Sequence, residues 1–263
     1  MLPPILLIGH GRMGSAMLAG WRERGIEAAF AVDPAADGSD PSVVTSIPAG
    51  FTPAAVVLAV KPQMAWAALP SVARFQGAVF LSIMAGRTVA SLEAALCGAA
   101  PPRREVAIVR AMPNTPAAIR KGISVAFAGP GTSETQRSLC DNLLRAVGEV
   151  AWTEDEGELD AVTALSGGGP AYVFLLAEVM EAAGIAQGLS PTLSRQLARV
   201  TISGAGALLA ASDEDAAALR RAVTSPAGTT ERALAVLMER EAWPALMERA
   251  ITAATLRSRE LAG

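Results

Sequence analysis

The sequence predicts an α/β protein in two parts: an N-terminal doubly wound, largely parallel sheet and an all-α C-terminal half. Three observations carry this. Through residue 153 short apolar runs alternate with helix-like stretches, the pattern of repeated β-then-α units. The first run leads into a turn with glycines at positions 9, 11 and 14. After the acidic stretch Glu154–Glu158 strand signals stop, and Ala- and Leu-rich helical sequence follows. The expected domains are therefore 1–153 and 154–263.

In order, Ile5–Ile8 is the first strand, and Ser15–Arg24 a helix that Gly25 can end. Ala28–Val32, Ala54–Val60, Ala78–Ile83, Glu105–Arg110 and Ile123–Ala128 are further strands, with Glu149–Thr153 a last one. Their runs are apolar on both faces, as strands covered by helices on two sides require. Gln63–Leu69, Val89–Leu96 and Ser133–Val147 are the intervening helices. In the second half Leu159–Leu165 reads as helix, broken by Ser-Gly-Gly-Gly. Pro170–Ala186 follows, then a helix capped by Ser190 with Pro191 at its first position, running to about Ala211. Asp213–Val223, Thr229–Arg240 and Trp243–Leu261 complete it. Val200–Ala211 is apolar nearly all round, which calls for burial. With Gly204, Ala205 and Gly206 permitting close approach, a second subunit is the expected cover.

Composition excludes several function classes. A net charge of -3 and the absence of basic runs give no reason to expect nucleic acid. No uncharged apolar run reaches the roughly 18–20 residues that span a bilayer, so no membrane partner is expected. The first residues lack the basic region of a signal peptide. Cys97 and Cys140 have neither metal-ligand nor redox spacing; they read as reduced thiols of a cytoplasmic protein. No metal site is expected. His10 is the only histidine, and Lys61 and Lys121 are the only lysines. Chemistry in the C-terminal half must therefore use hydroxyls, carboxylates, arginine or backbone groups.

Gly9, Gly11 and Gly14 stand in the G-x-G-x-x-G spacing of a dinucleotide-binding loop, after a strand and before a helix. The first glycine makes the tight turn, the second lets the backbone approach a pyrophosphate, and the third allows helix–strand packing. The free N–H groups of the helix N-terminus receive the phosphates. Asp33 sits where an acidic residue bonds the adenosine ribose hydroxyls and repels a 2′-phosphate. No Lys or Arg lies between Gly25 and Lys61. The cofactor is thus NADH or NADPH, with a lean to NADH; Arg12, able to reach a 2′-phosphate, keeps the choice open. Lys61, in Leu-Ala-Val-Lys-Pro-Gln, and the small residues near Gly86 end two further strands on the same sheet edge.

Five motifs, in order along almost the whole chain, resemble those of the pyrroline-5-carboxylate reductases. These are Ile-Gly-His-Gly-Arg-Met-Gly at 8–14, Ala-Val-Lys-Pro-Gln at 59–63 and Arg-Ala-Met-Pro-Asn-Thr-Pro at 110–116. The other two are Ala-Leu-Ser-Gly-Gly-Gly-Pro at 164–170 and Val-Thr-Ser-Pro-Ala-Gly-Thr-Thr at 223–230. The last three together are specific. The resemblance implies a Rossmann domain, a helical dimerisation domain, and active sites drawing on both subunits. It further implies homodimers that assemble into rings in some members. It implies cofactor contacts at Gly9, Gly11, Arg12, Met13, Gly14, Ala59, Val60, Lys61, Pro62, Ala85 and Gly86, with Asn114 on the nicotinamide side. The implied substrate is 1-pyrroline-5-carboxylate, held by Ser225, Gly228, Thr229 and Thr230. Gly168 stands where the family commonly has Ser, and Ala227 where it commonly has Gly. His10 and Arg12 replace small or amide residues.

The expected reaction is hydride transfer to the C=N of a cyclic imine. If the imine arrives protonated it needs no charged acid, and positioning carries most of the rate. Thr230 is the expected catalytic residue, orienting the nitrogen and relaying a proton from water. The N–H groups of the loop around Ser225–Thr230 are expected to hold the substrate carboxylate, while Ser225 and Thr229 can also cap helices. Glu154–Glu158 reads as a solvated face, and Tyr172 as packing. A β-hydroxyacid dehydrogenase shares the domain plan, but it needs an interdomain lysine, and none follows Lys121. A deazaflavin-dependent NADP reductase lacks the Ser-Pro-Ala-Gly-Thr-Thr loop. A catalytically silent dinucleotide sensor is opposed by the intact loop and Thr230.

Overall fold

The computed structural model describes residues 3–26, 28–75, 77–98 and 106–262. Eight strands form one sheet in the order β3-β2-β1-β4-β5-β6-β7-β8. They are β1 Ile5–Ile8, β2 Ala29–Val32, β3 Val43–Val44, β4 Ala55–Leu58, β5 Val79–Ser82, β6 Ile108–Pro113, β7 Gly122–Ala128 and β8 Gly148–Thr153. β1 to β6 are parallel; β7 reverses against β6, and β8 runs parallel to β7. The order changes direction beside β1, so the loops leaving β1 and β4 flank the crevice where open α/β sheets bind ligands.

β1, β4 and β5 are buried on both faces, and side-chain alternation divides them between two cores. Leu7, Val57 and Leu81 pack with Met17, Leu18 and Trp21 of α1 (Arg12–Glu23), and with Leu143 and Leu144 of α4 (Glu134–Arg145). Ile8, Leu58 and Phe80 pack with Leu69 and Val72 of α2 (Ala65–Val72), and with Leu92 of α3 (Val89–Cys97). Trp21 is fully buried, and its indole N–H donates to the Leu143 carbonyl at 2.9 Å, so burying the ring leaves no orphan donor.

Several elements differ from the sequence reading. β3 is only two residues long, too short to leave a periodic signal. The expected strand Glu105–Arg110 is Ile108–Pro113 in the fold, and Glu105 lies outside the described residues. α1 begins three residues earlier than expected, directly at Arg12, with Gly11 as its N-cap. Ser-Gly-Gly-Gly does not break the helical run: residues Thr163–Gly167 form a π-turn between α5 (Glu158–Val162) and α6 (Gly169–Ala186). The Thr163 hydroxyl donates to the Leu159 carbonyl at 2.7 Å, supporting the wider turn.

By packing the chain divides into two compact units, Met1–Gly167 with Ala254–Gly263, and Gly168–Ala253. The second is all-helical: the bulk of α6, α7 (Pro191–Ala211), α8 (Ala216–Ala222), α9 (Thr229–Leu237) and the start of α10 (Trp243–Ala262). Ser190 caps α7 through the Leu193 N–H with Pro191 next, as expected. α8 begins at Ala216, three residues later than expected, with Asp215 as its N-cap.

Candidate active site

The three loop glycines do three different things. Gly9 has φ +98, and an added Cβ would lie 2.9 Å from the Ala59 carbonyl oxygen. A Cβ at Gly14 would overlap the Gly9 carbonyl, so α1 could not pack as closely. A Cβ at Gly11 would meet nothing within 4 Å. Gly11 is thus not required by the packing of the chain itself, and the space above it suits a ligand that touches backbone. The first helical bond of α1 runs from Ser15 N to Gly11 O. The N–H groups of Arg12, Met13 and Gly14 therefore precede the ladder, with no side-chain cap over them. This is a fit for a pyrophosphate.

Asp33 ends β2 beside this loop. Its carboxylate accepts the His10 backbone N–H at 2.8 Å and the Ala35 N–H at 2.9 Å. The Ala35 and His10 amides hold its pKa below the ordinary carboxylate value, so its charge is fixed in place. Each oxygen keeps a lone pair for a further donor such as a sugar hydroxyl.

Ala59 and Val60 follow β4, and Lys61 caps a 3₁₀ turn at Pro62–Met64. Ala85 and Gly86 follow β5; Gly86 has φ +65, and a Cβ there would lie 3.0 Å from the Leu261 carbonyl oxygen. Arg87 joins these two loops: its guanidinium lies 5.0 Å from the Trp66 ring centroid and reaches the Pro62 carbonyl at 3.4 Å. Asn114 follows β6. Its side-chain oxygen accepts the Ile123 N–H at 3.0 Å, and its amide donates to the Ser166 hydroxyl, in the π-turn, at 3.3 Å. All these residues lie in the sheet-containing unit.

Ser225, Gly228, Thr229 and Thr230 lie in the helical unit. Gly228 N donates to Ser225 O at 3.0 Å, closing a turn with Pro226 second and Ala227 third. Ala227 has φ +57, the left-handed angle that a type II turn demands of its third residue. Glycine adopts that angle without the strain a Cβ brings. α9 starts at Thr229, and Thr230 is exposed on its first turn. Two expectations need correction. Neither Ser225 nor Thr229 caps a helix; Gly228 is the N-cap, without a side-chain bond. The anion cradle is also smaller than expected. The Ala227 N–H is taken by the Glu231 carboxylate at 2.7 Å, and the Gly228 N–H by the turn, leaving the amides at the start of α9.

The sequence reading missed Glu156, which it placed on a solvated face. One Glu156 oxygen accepts both an Arg110 N–H and the Val89 backbone N–H, each at 2.7 Å. It also missed Ser166 and Arg87. Only their places in motifs could have marked them, Arg87 after a strand and Ser166 beside the Gly-Gly-Gly run, since their partners are distant in sequence.

A family model for pyrroline-5-carboxylate reductase dimerisation matches residues 156–261. The pyrroline-5-carboxylate reductase of Pseudomonas aeruginosa is 40% identical, over 99% of this chain and 97% of its own. That of Haemophilus influenzae is 35% identical, over 98% and 97%. A solved pyrroline-5-carboxylate reductase from Coxiella burnetii superposes with a TM-score of 0.89, at 30% identity and full coverage of both chains. The Plasmodium falciparum pyrroline carboxylate reductase, solved with NADP bound, gives 0.83 at 27% identity, over 99% of this chain and 98% of its own.

Proposed function

The chain belongs to the pyrroline-5-carboxylate reductase family, and from that membership we propose how its own residues carry the reaction. The protein is a nicotinamide-dependent oxidoreductase that reduces the C=N of 1-pyrroline-5-carboxylate to L-proline. The observation that carries the reading is the loop around Gly11: at the sheet's switch point the backbone stands open to a ligand, since a Cβ there would meet nothing within 4 Å.

Gly9, Gly11, Arg12, Met13 and Gly14 hold the pyrophosphate, Asp33 the adenosine ribose, and Ala59–Pro62 with Ala85 and Gly86 the nicotinamide half. Asn114 sits on the nicotinamide side. When bound, the reduced nicotinamide supplies the hydride that the imine carbon accepts. NADH is the better donor in this reading, because Asp33 is held ionised by two amides and 26–60 contain no Lys or Arg. The Thr229 and Thr230 amides, with the Ser225 and Gly228 turn behind them, hold the substrate carboxylate. The Thr230 hydroxyl orients the ring nitrogen and relays its proton from water; its exposure on the first turn of α9 supports this.

Residues 1–153 are the nucleotide-binding domain and 154–263 the dimerisation and substrate domain; the family model's start at residue 156 supports that division. Residues Glu158–Ala186 are long and apolar enough to cross a membrane, with none of the tested window buried within the single chain. Phe174 and Leu175 of α6 and Val200, Leu208 and Leu209 of α7 are exposed in it as well. A homodimer through these helices covers them, and such dimers can build a ring. The dimerisation family model over the same residues favours a second copy over lipid. The two free thiols fit a cytoplasmic enzyme.

One assay tests the reading: oxidation of NADH and of NADPH by pyrroline-5-carboxylate, with a 3-hydroxy acid plus NAD as control. Turnover of the imine, faster with NADH, is expected. No turnover with either donor overturns the function, and a faster rate with NADPH overturns the role of Asp33. Thr230→Ala is expected to lower kcat by roughly 10²-fold, as loss of a positioned proton donor does, with cofactor Kd unchanged.

A further inference from the structure

We propose that Glu156 is a positioning residue for the cofactor loop at Ala85–Thr88; this rests on the reductase reading above. That loop ends β5 and runs into α3, whose first residue is Val89. The loop's conformation depends on where α3 starts. The Val89 N–H is one of the donors that a helix leaves unpaired at its first turn. Thr88 caps a different one, through Ser91 N at 3.1 Å. Val89 N donates to Glu156, 67 residues away in sequence, at 2.7 Å.

The same Glu156 oxygen is fixed from a second side. Arg110, in the middle of β6, is 6% exposed and donates to it at 2.7 Å. A guanidinium at that depth needs a paired anion. Glu156 supplies it, and the carboxylate is thereby pinned between the sheet and the start of α3. The turn that delivers Glu156 is itself held. The Asp155 N–H donates to the Thr153 hydroxyl at 3.1 Å, the Gly157 N–H donates to the Asp155 carboxylate at 2.8 Å, and Thr153 also bonds Glu158. Glu156 is therefore a preset strut between β6 and the N-terminus of α3, not a mobile surface acid.

The end of the chain passes close to the same loop. A Cβ added at Gly86 would lie only 3.0 Å from the Leu261 carbonyl oxygen, closer than van der Waals contact, and Ser258 of α10 donates to Asp160 of α5 at 2.6 Å. The loop is thus tied at Val89 by Glu156, while the end of α10 leaves no room for a side chain at Gly86. Its backbone carries the expected contacts Ala85 and Gly86. A small displacement of a positioning element costs up to about 10²-fold in rate.

The test compares Glu156→Ala with Glu156→Gln. Gln keeps an oxygen for the Val89 N–H but not the charge for Arg110. Alanine removes both. NADH and NADPH binding to each variant is read directly from nicotinamide fluorescence, alongside KM values for cofactor and imine and a thermal melt. Glu156→Ala is expected to raise the cofactor Kd and KM about tenfold or more, with the imine KM changed less than twofold. Glu156→Gln is expected to restore cofactor Kd to within about threefold while still melting lower than the parent, because Arg110 loses its anion. If Glu156→Ala does not fold, Glu156→Gln carries the test alone: cofactor Kd near the parent value despite a lower melt is required. Unchanged cofactor Kd in a folded Glu156→Ala, an effect on the imine KM instead, or failure of Gln to restore binding overturns the proposal. A parent enzyme that binds neither cofactor overturns the reductase reading instead.

Discussion

Ala227→Gly is expected to stabilise the protein. Ala227 holds φ +57 in the turn closed by Gly228 N and Ser225 O. A residue with a Cβ is strained there by about 1–2 kcal/mol, through contact of that Cβ with the following carbonyl oxygen. Glycine removes the strain but adds freedom to the unfolded chain, which offsets about 0.4–1 kcal/mol. The bond to the Glu231 carboxylate is donated by the backbone N–H of residue 227 and survives the change. With each range taken at its middle, the net gain is about 0.8 kcal/mol, or a rise of about 2–3 °C in Tm for a chain of this size. The assay is a thermal melt at fixed protein concentration, because dissociation of the proposed dimer would make Tm concentration-dependent. Gly25→Ala is the mirror control: Gly25 has φ +74 and open space for a Cβ, so the substitution introduces strain without a clash and should lower Tm. A Tm for Ala227→Gly equal to or below the parent's, with Gly25→Ala behaving as stated, refutes the left-handed turn.

Gly11→Ala should leave Tm within about 1 °C, because its Cβ meets nothing, yet weaken cofactor binding at least tenfold by occupying the space above the loop. Gly14→Ala should instead lower stability by about 1–3 kcal/mol through overlap with the Gly9 carbonyl, as seen in a urea titration. Ser194 is 2% exposed, and its hydroxyl is a buried side-chain oxygen with no hydrogen-bond partner. Ser194→Ala should raise stability by about 1 kcal/mol in the same titration. Burial pushes the Cys140 thiol far up, and burial with Glu93 nearby raises Cys97 too. A disulfide-exchange reagent at pH 8 should therefore titrate Cys97 slowly and Cys140 only after denaturation.

What the sequence showed depended on how far apart the interacting residues lie. The glycine loop is local: turn, approach and packing are all specified within six residues. Ser190 and Pro191 mark a helix start within two. Both appear in the fold where the sequence puts them. Asp33 was placed by its spacing from the loop, a regularity of the βαβ unit, and the His10 amide bond supplies the physical link. The antiparallel β7 was not legible, because the residue types of a single strand do not record which way it runs; its alternation of buried and more exposed residues emerges only in the fold. The angle at Ala227 could be suspected only through the resemblance, which puts glycine there; alanine itself hides a left-handed residue that glycine would have advertised.

Glu156 shows the limit most clearly. In sequence it is one of four acids within five residues, and such a cluster is ordinarily solvated. Its partners lie 46 and 67 residues away. Only the burial of Arg110 in β6 distinguishes it, and a lone arginine inside an apolar strand was the available clue. An interior guanidinium must find an anion, so some acid beyond the strand had to be withdrawn from solvent to meet it. The turn after β8 brings one to the place where α3 begins and the cofactor loop ends. The ion pair that lets β6 carry a charge and the cap at the start of α3 are consequently one carboxylate, and removing its side chain takes away both.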